Sequence, residues 1–96
     1  MKNKIVTLVM SNGAEIIGKY ITDDFNSIII YKPRMVQATQ QGVGLVNGIS
    51  MTGKEPNDNF SFSRHSILYM LETFSELSNG WTQQTSGIQL PTKGIM

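Results

Sequence analysis

One stretch, from Asn12 to Tyr31, constrains the fold of this chain more than any other, because it sets two turns between extended segments without a break. Asn12-Gly13, flanked by apolar runs, is a strong short-range hairpin signal. From Ala14 to Thr22 the chain reads as extended, with Ile16, Ile17, Tyr20 and Ile21 supplying β-branched and aromatic bulk on both sides of Gly18. A glycine inside a strand gives up packing, so Gly18 marks a sharp bend or a close backbone approach. Asp23 to Ser27 forms the next turn and Ile28 to Tyr31 the next strand. The local language is that of antiparallel β structure.

The flanks extend the pattern. Lys4 to Met10 alternates, with Val6, Leu8 and Met10 on one face and Ile5, Thr7 and Val9 on the other, which predicts a first strand. Lys32-Pro33-Arg34 interrupts the third strand, since proline donates nothing to a ladder. Strand character resumes at Met35, Val36 and Ala38. Gln40 to Gly44 reads as a turn, with Leu45 to Met51 pairing back as an extended hairpin. Thr52 to Asn59 is polar, holds Gly53 and Pro56, and reads as a loop. Phe60 to about Leu71 is predicted as strand broken near Arg64-His65, although Ile67, Met70, Leu71, Phe74 and Leu77 fall at helical spacing. A short helix over Thr73 to Asn79, stopped by Gly80, follows. The expected division is one β-barrel domain over 1–80 and an irregular tail over 81–96, in which Trp81, Ile88 and Leu90 suggest local packing.

Composition narrows the function classes. A chain of 96 residues suits one domain with a modest core. Charged residues make up 16% of it and the net charge is +1, far from the excess of Lys and Arg that bulk electrostatic nucleic-acid binding requires. Cysteine is absent, which removes disulfides and thiolate chemistry and suits a reducing cytoplasm. The apolar run from Ile5 to Met10 is too short for a membrane span or a secretory core. With one histidine, and Asp23-Asp24 as the only close carboxylate pair, no metal site or cofactor is expected. His65 lies beside Ser63 and Ser66 without a nucleophile elbow, so enzymatic chemistry is not expected either. Gly48 to Lys54 approaches a phosphate loop, but Glu55 stands where Ser or Thr is needed. The methionines, Met35, Met51 and Met70 among them, read as adaptable core filler.

At this point the residues resemble a known family. Asn12-Gly13-Ala14-Glu15-Ile16-Ile17-Gly18 is similar to the opening of the first Sm motif, and Asp24, Phe25 and Asn26 to that motif's aspartate, bulky residue and asparagine. Ser63-Arg64-His65-Ser66-Ile67 resembles the second motif in its bacterial, Hfq-like form, with Arg64 in place of lysine. Small Sm-like proteins of tailed phages, cyanophages included, share the Gly-Glu strand, a proline after the third strand and a stretch like Ser86-Gly87-Ile88-Gln89-Leu90-Pro91. The resemblance implies a mainly β, five-stranded, strongly bent open barrel, here with an extended hairpin and a short C-terminal helix. It also implies a homo-oligomeric ring of about five to seven subunits, closed by pairing the fourth strand of one copy with the fifth of the next.

Two functional readings follow. In the first, the ring binds single-stranded RNA as a chaperone or regulator, with Phe25 and Asn26 on one loop and Arg64 and His65 on another supplying a stacking plane, an amide and a guanidinium. In the second, the ring is a phage structural or adaptor protein that engages proteins without RNA. The plain structural alternative for the same residues is that Asp24 and Asn26 make the turn, Phe25 packs in the core and Arg64 pairs with an acidic neighbour. Lys32 and Arg34 can extend a basic rim, yet two cations at a strand end more often form a solvated edge.

Overall fold

A computed structural model of the chain describes residues 2–40, 42–46, 48–50 and 52–86. Six strands follow in order: β1 (Ile5–Met10), β2 (Glu15–Asp23), β3 (Ser27–Thr39), β4 (Gly42–Leu45), β5 (Asn59–Ser63) and β6 (Ile67–Glu72). A single 3₁₀ turn (Arg64–Ser66) separates β5 from β6, and one helix, α1 (Ser75–Ser86), closes the described chain. The sheet is antiparallel, with the order β4-β3-β2-β1-β6 and β5 added to β3. It stays unclosed, because no ladder joins β5 to β6 among the described residues.

The core occupies one face. Val6, Leu8, Ile16, Ile28, Ile30 and Phe62 form its buried cluster, with Met10, Tyr20, Met35, Ile67 and Met70 packed against it. The alternation expected of the first strand and the filling role expected of Met35 and Met70 are both observed; Met51 lies outside the described residues. Each buried aliphatic side chain contributes about 2 kcal/mol of transfer free energy, so this cluster dominates the stability of the sheet. The other face carries Thr7, Ile17 and Arg34, consecutive partners across β1, β2 and β3, all buried.

Three expectations are corrected here. First, Lys32-Pro33-Arg34 does not end the third strand: β3 runs through it for 13 residues. The missing N–H of Pro33 falls where β3 changes partner, between its last pair with β5, Tyr31 with Asn59, and its first with β4, Val36 with Leu45. No ladder hydrogen bond is therefore lost. Lys32 takes a left-handed φ of 49° there, opposite a register shift around Gly18.

Second, the hairpin is tighter than Gln40–Gly44 with a return over Leu45–Met51. Thr39 pairs with Gly42, Thr39 Oγ1 donates to the Gly42 carbonyl at 3.0 Å, and Gly42 supplies the positive φ of 126° that the turn demands. Third, the helix does not stop at Gly80 and residues 81–86 are not irregular. Trp81 and Thr85 are buried at 4% and 7% exposure, and this tertiary packing outweighs the roughly 1 kcal/mol that a mid-helix glycine costs. The rest of the predicted tail, 87–96, lies outside the described residues.

Candidate nucleic-acid interface

Four side chains named from the sequence fall on two adjoining loops. The turn after β2 is built by Asp24, whose Oδ1 accepts from the backbone N–H groups of Asn26 and Ser27, each at 2.8 Å, and from Ser27 Oγ at 3.2 Å. The Asp24 N–H donates to the Ser27 carbonyl at 2.9 Å, which closes the turn. An aspartate is suited to this position because its short carboxylate reaches the N–H groups two and three residues on. Those donors, with Asn26 first, hold its carboxyl below the usual carboxylate range.

Arg64, at the start of the 3₁₀ turn, fastens the second loop to the first. Its N–H donates to the Asn26 carbonyl at 2.9 Å, its Nε donates to the Asp24 carbonyl at 2.7 Å, and its Nη2 pairs with the Asp23 carboxylate. The other oxygen of that carboxylate accepts from the Tyr20 hydroxyl, which raises the hydroxyl's pKa. His65 is exposed, and its N–H donates to Ser63 Oγ at 3.3 Å.

The structure thus brings Phe25, Asn26, Arg64 and His65 to the same end of the sheet, but in a mixed form of the two sequence readings. Asp24 does make the turn, and Arg64 does pair with an acidic neighbour. Phe25 does not pack in the core: it is 90% exposed. The turn holds its backbone while its ring stands in solvent, an arrangement that costs apolar hydration and serves no internal packing. Arg64 in turn is committed to Asp23 and to the Asp24 carbonyl, which leaves its guanidinium less to offer a phosphate.

The reading of Arg34 as part of a solvated edge is also corrected. Arg34 is 2% exposed. Its Nη1 donates to the carbonyls of Pro33 and Pro56 at 2.9 and 2.8 Å, its Nη2 to Asn57 Oδ1 at 3.0 Å, and its Nε to Gln84 Oε1 at 3.1 Å. Burial lowers its pKa, with Glu55 at 3.8 Å acting the other way. Lys32 is equally occupied, its Nζ donating to the Thr85 carbonyl at 2.7 Å, where a cation complements the helix C-terminus. Trp81 Nε1 donates to the Lys32 carbonyl at 2.8 Å. These two cations fasten α1 to β3, a role that their place beside Pro33 in the sequence does not announce.

A groove that sequence reasoning missed opens on the outer face of the sheet. It holds about 660 Å³ between Phe74, just before α1, Leu77 of α1, Leu71 of β6 and the β3–β4 hairpin (Val36, Val43). The helical spacing of Leu71, Phe74 and Leu77 was its one signal. Among the described residues, no group of three or more His, Cys, Asp or Glu side chains is placed to hold a metal ion, and no helix is long and apolar enough to cross a membrane. No family model matches the chain, and no curated protein matches it.

Proposed function

We propose that this chain is an Sm-like ring subunit that binds single-stranded RNA along a rim built from Phe25, Asn26 and His65, with Arg64 holding the two loops in register. The observation that carries the reading is Phe25, an aromatic ring 90% exposed on a turn pinned by Asp24 and Arg64. A base stacks on such a plane without regard to its identity, a contact worth about 1–3 kcal/mol per base. Multiplied around a ring, one modest contact per subunit becomes a multivalent site.

Assembly is supported by the two strands left at the ends of the core sheet. Among the described residues β5 and β6 each pair on one side, and β6 exposes Leu68, Tyr69 and Leu71, at 61%, 54% and 50%. An apolar edge of this kind is a template for pairing with another chain, and β5 of one copy against β6 of the next closes a ring. This is a binding role and involves no catalytic group.

The Arg64–Asp23 pair favours a second reading, a ring that acts in phage assembly as a structural or adaptor protein without RNA, since it neutralises the cation the first reading would use. Native mass spectrometry at low ionic strength, with and without short U-rich and A-rich RNA, separates the two. A closed ring carrying RNA that is lost in Phe25→Ala supports RNA binding; a closed ring indifferent to RNA leaves the adaptor; a monomer overturns both.

A further inference from the structure

We infer that the apolar groove between α1 and the β3–β4 hairpin docks a short peptide segment of a partner protein, one that carries bulky apolar side chains with a lysine or arginine beside them. One wall, Phe74, is fixed through the backbone on both sides. The Thr73 N–H donates to the Ile5 carbonyl at 3.1 Å, the Thr73 and Thr7 hydroxyls bond to each other at 2.8 Å, and the Phe74 carbonyl accepts from the Ser78 N–H at 2.9 Å. The ring held in this way is nonetheless 80% exposed, while Val43 and Leu71 are 54% and 50% exposed. These three side chains line one slot of about 660 Å³, a volume within the range of ligand sites. A contiguous apolar patch with a polar rim marks a place where another molecule is buried.

Charge identifies that molecule. Among the described residues, the lining holds two carboxylates, Glu15 and Glu72, and no lysine or arginine. Glu72 faces Lys4 at 3.5 Å in an exposed pair that solvent screens. Glu15 has no cation beside it among the described residues. The chain as a whole carries a net charge of +1, so this acidity is local to the groove. Carboxylates repel phosphate, and neither a nucleic acid nor an anionic membrane suits such a rim. A basic apolar peptide does: its apolar side chains lie against Phe74, Val43 and Leu71, and its cation turns to Glu15. The burial supplies the affinity and the charge pair the selectivity. This site is separate from the rim at Phe25 and stands whether or not copies assemble. Glu15 is the first residue of β2, and Phe25 lies just past its last, Asp23, nine residues and about 30 Å of strand away.

A yeast-displayed library of random peptides, selected on the full-length protein, tests the inference. Enriched sequences should combine large apolar residues with lysine or arginine. A labelled representative should lose about tenfold or more in affinity for Phe74→Ser combined with Val43→Thr. Both side chains are mostly exposed, so circular dichroism should find the fold of that variant intact. Glu15→Gln should cost about threefold, a difference that high salt removes, and Phe25→Ala should change nothing. Enriched peptides without basic residues, or equal affinity for the double variant, would overturn the proposal. A loss of binding in Phe25→Ala would do the same by placing the peptide on the other rim. So would a failure to enrich any peptide, which is the result expected if a second copy or the chain itself fills the groove.

Discussion

Gly18 has no room for a side chain. A Cβ there would overlap Ile30 Cγ2 and lie 3.0 Å from the Tyr31 carbonyl oxygen and 3.2 Å from Pro33 Cα. Ile30 is wholly buried and cannot swing aside, so the strain falls on the β2–β3 pairing. Gly18→Ala should lower stability by about 1–3 kcal/mol, read as a shifted midpoint in urea with an unchanged slope. Asp24 permits a second prediction at this scale. Its folded-state pKa is depressed by the N–H groups of Asn26 and Ser27 and by the Ser27 hydroxyl. In the window between that lowered value and the ordinary aspartate value, the unfolded chain binds the proton and the folded one does not, so stability falls as pH falls. Above the window the contribution is fully present. The urea midpoint of the native protein should therefore decline more steeply through this acid range than that of Asp24→Asn, which has no carboxyl to titrate.

Elements differ in how legible they were, and the reason is the range of the contacts that decide them. β1, β2 and the turns at Asn12-Gly13 and Asp23 to Ser27 are set by alternation and by side chains bonding two or three residues away, which a sequence displays directly. The continuation of β3 through Pro33 depends on β5 ending and β4 beginning at that point, partners distant along the chain. The continuation of α1 through Gly80 depends on Trp81 and Thr85 finding the outer face of the sheet. Of the candidate site, the placing of the four residues on two adjoining loops and the pairing of Arg64 with an acidic neighbour were legible; the exposure of Phe25 was not, because it depends on how the two loops dock. Arg34 was misread for the same reason, since its acceptors span Pro33, Pro56, Asn57 and Gln84. Removing it takes a buried donor from acceptors on three segments, so Arg34→Met should cost about 2 kcal/mol and shift the fluorescence of the lone tryptophan, Trp81, to the red as α1 loosens. Arg34→Lys should recover little, because an ammonium cannot reproduce the planar fork that reaches carbonyls on both sides.

At the scale of the molecule, surface apolarity and low charge act together. Leu68, Tyr69 and Leu71 leave β6 sticky, and a net charge of +1 opposes association only weakly. Leu68→Lys combined with Tyr69→Lys places charge on that edge, and if β6 closes the proposed ring, native mass spectrometry should find monomer in its place with the fold intact by circular dichroism. The same scarcity of charge dictates how RNA would be held. Strong phosphate binding releases many counterions and makes affinity steeply salt-dependent, with a slope of about −0.7 per phosphate neutralised on a single strand. Here Arg64 is paired with Asp23, Lys32 with the Thr85 carbonyl, and Arg34 is buried, so none of these three is free to face a backbone and, on the proposed reading, stacking on Phe25 supplies most of the affinity. A titration of short U-rich RNA across a range of salt should therefore show a shallow slope, on the order of −1 to −2 in all. Phe25→Ala should abolish most of the affinity while leaving that slope unchanged. A steep slope that persists in Phe25→Ala would place the binding on phosphate contacts elsewhere and remove Phe25 from the site.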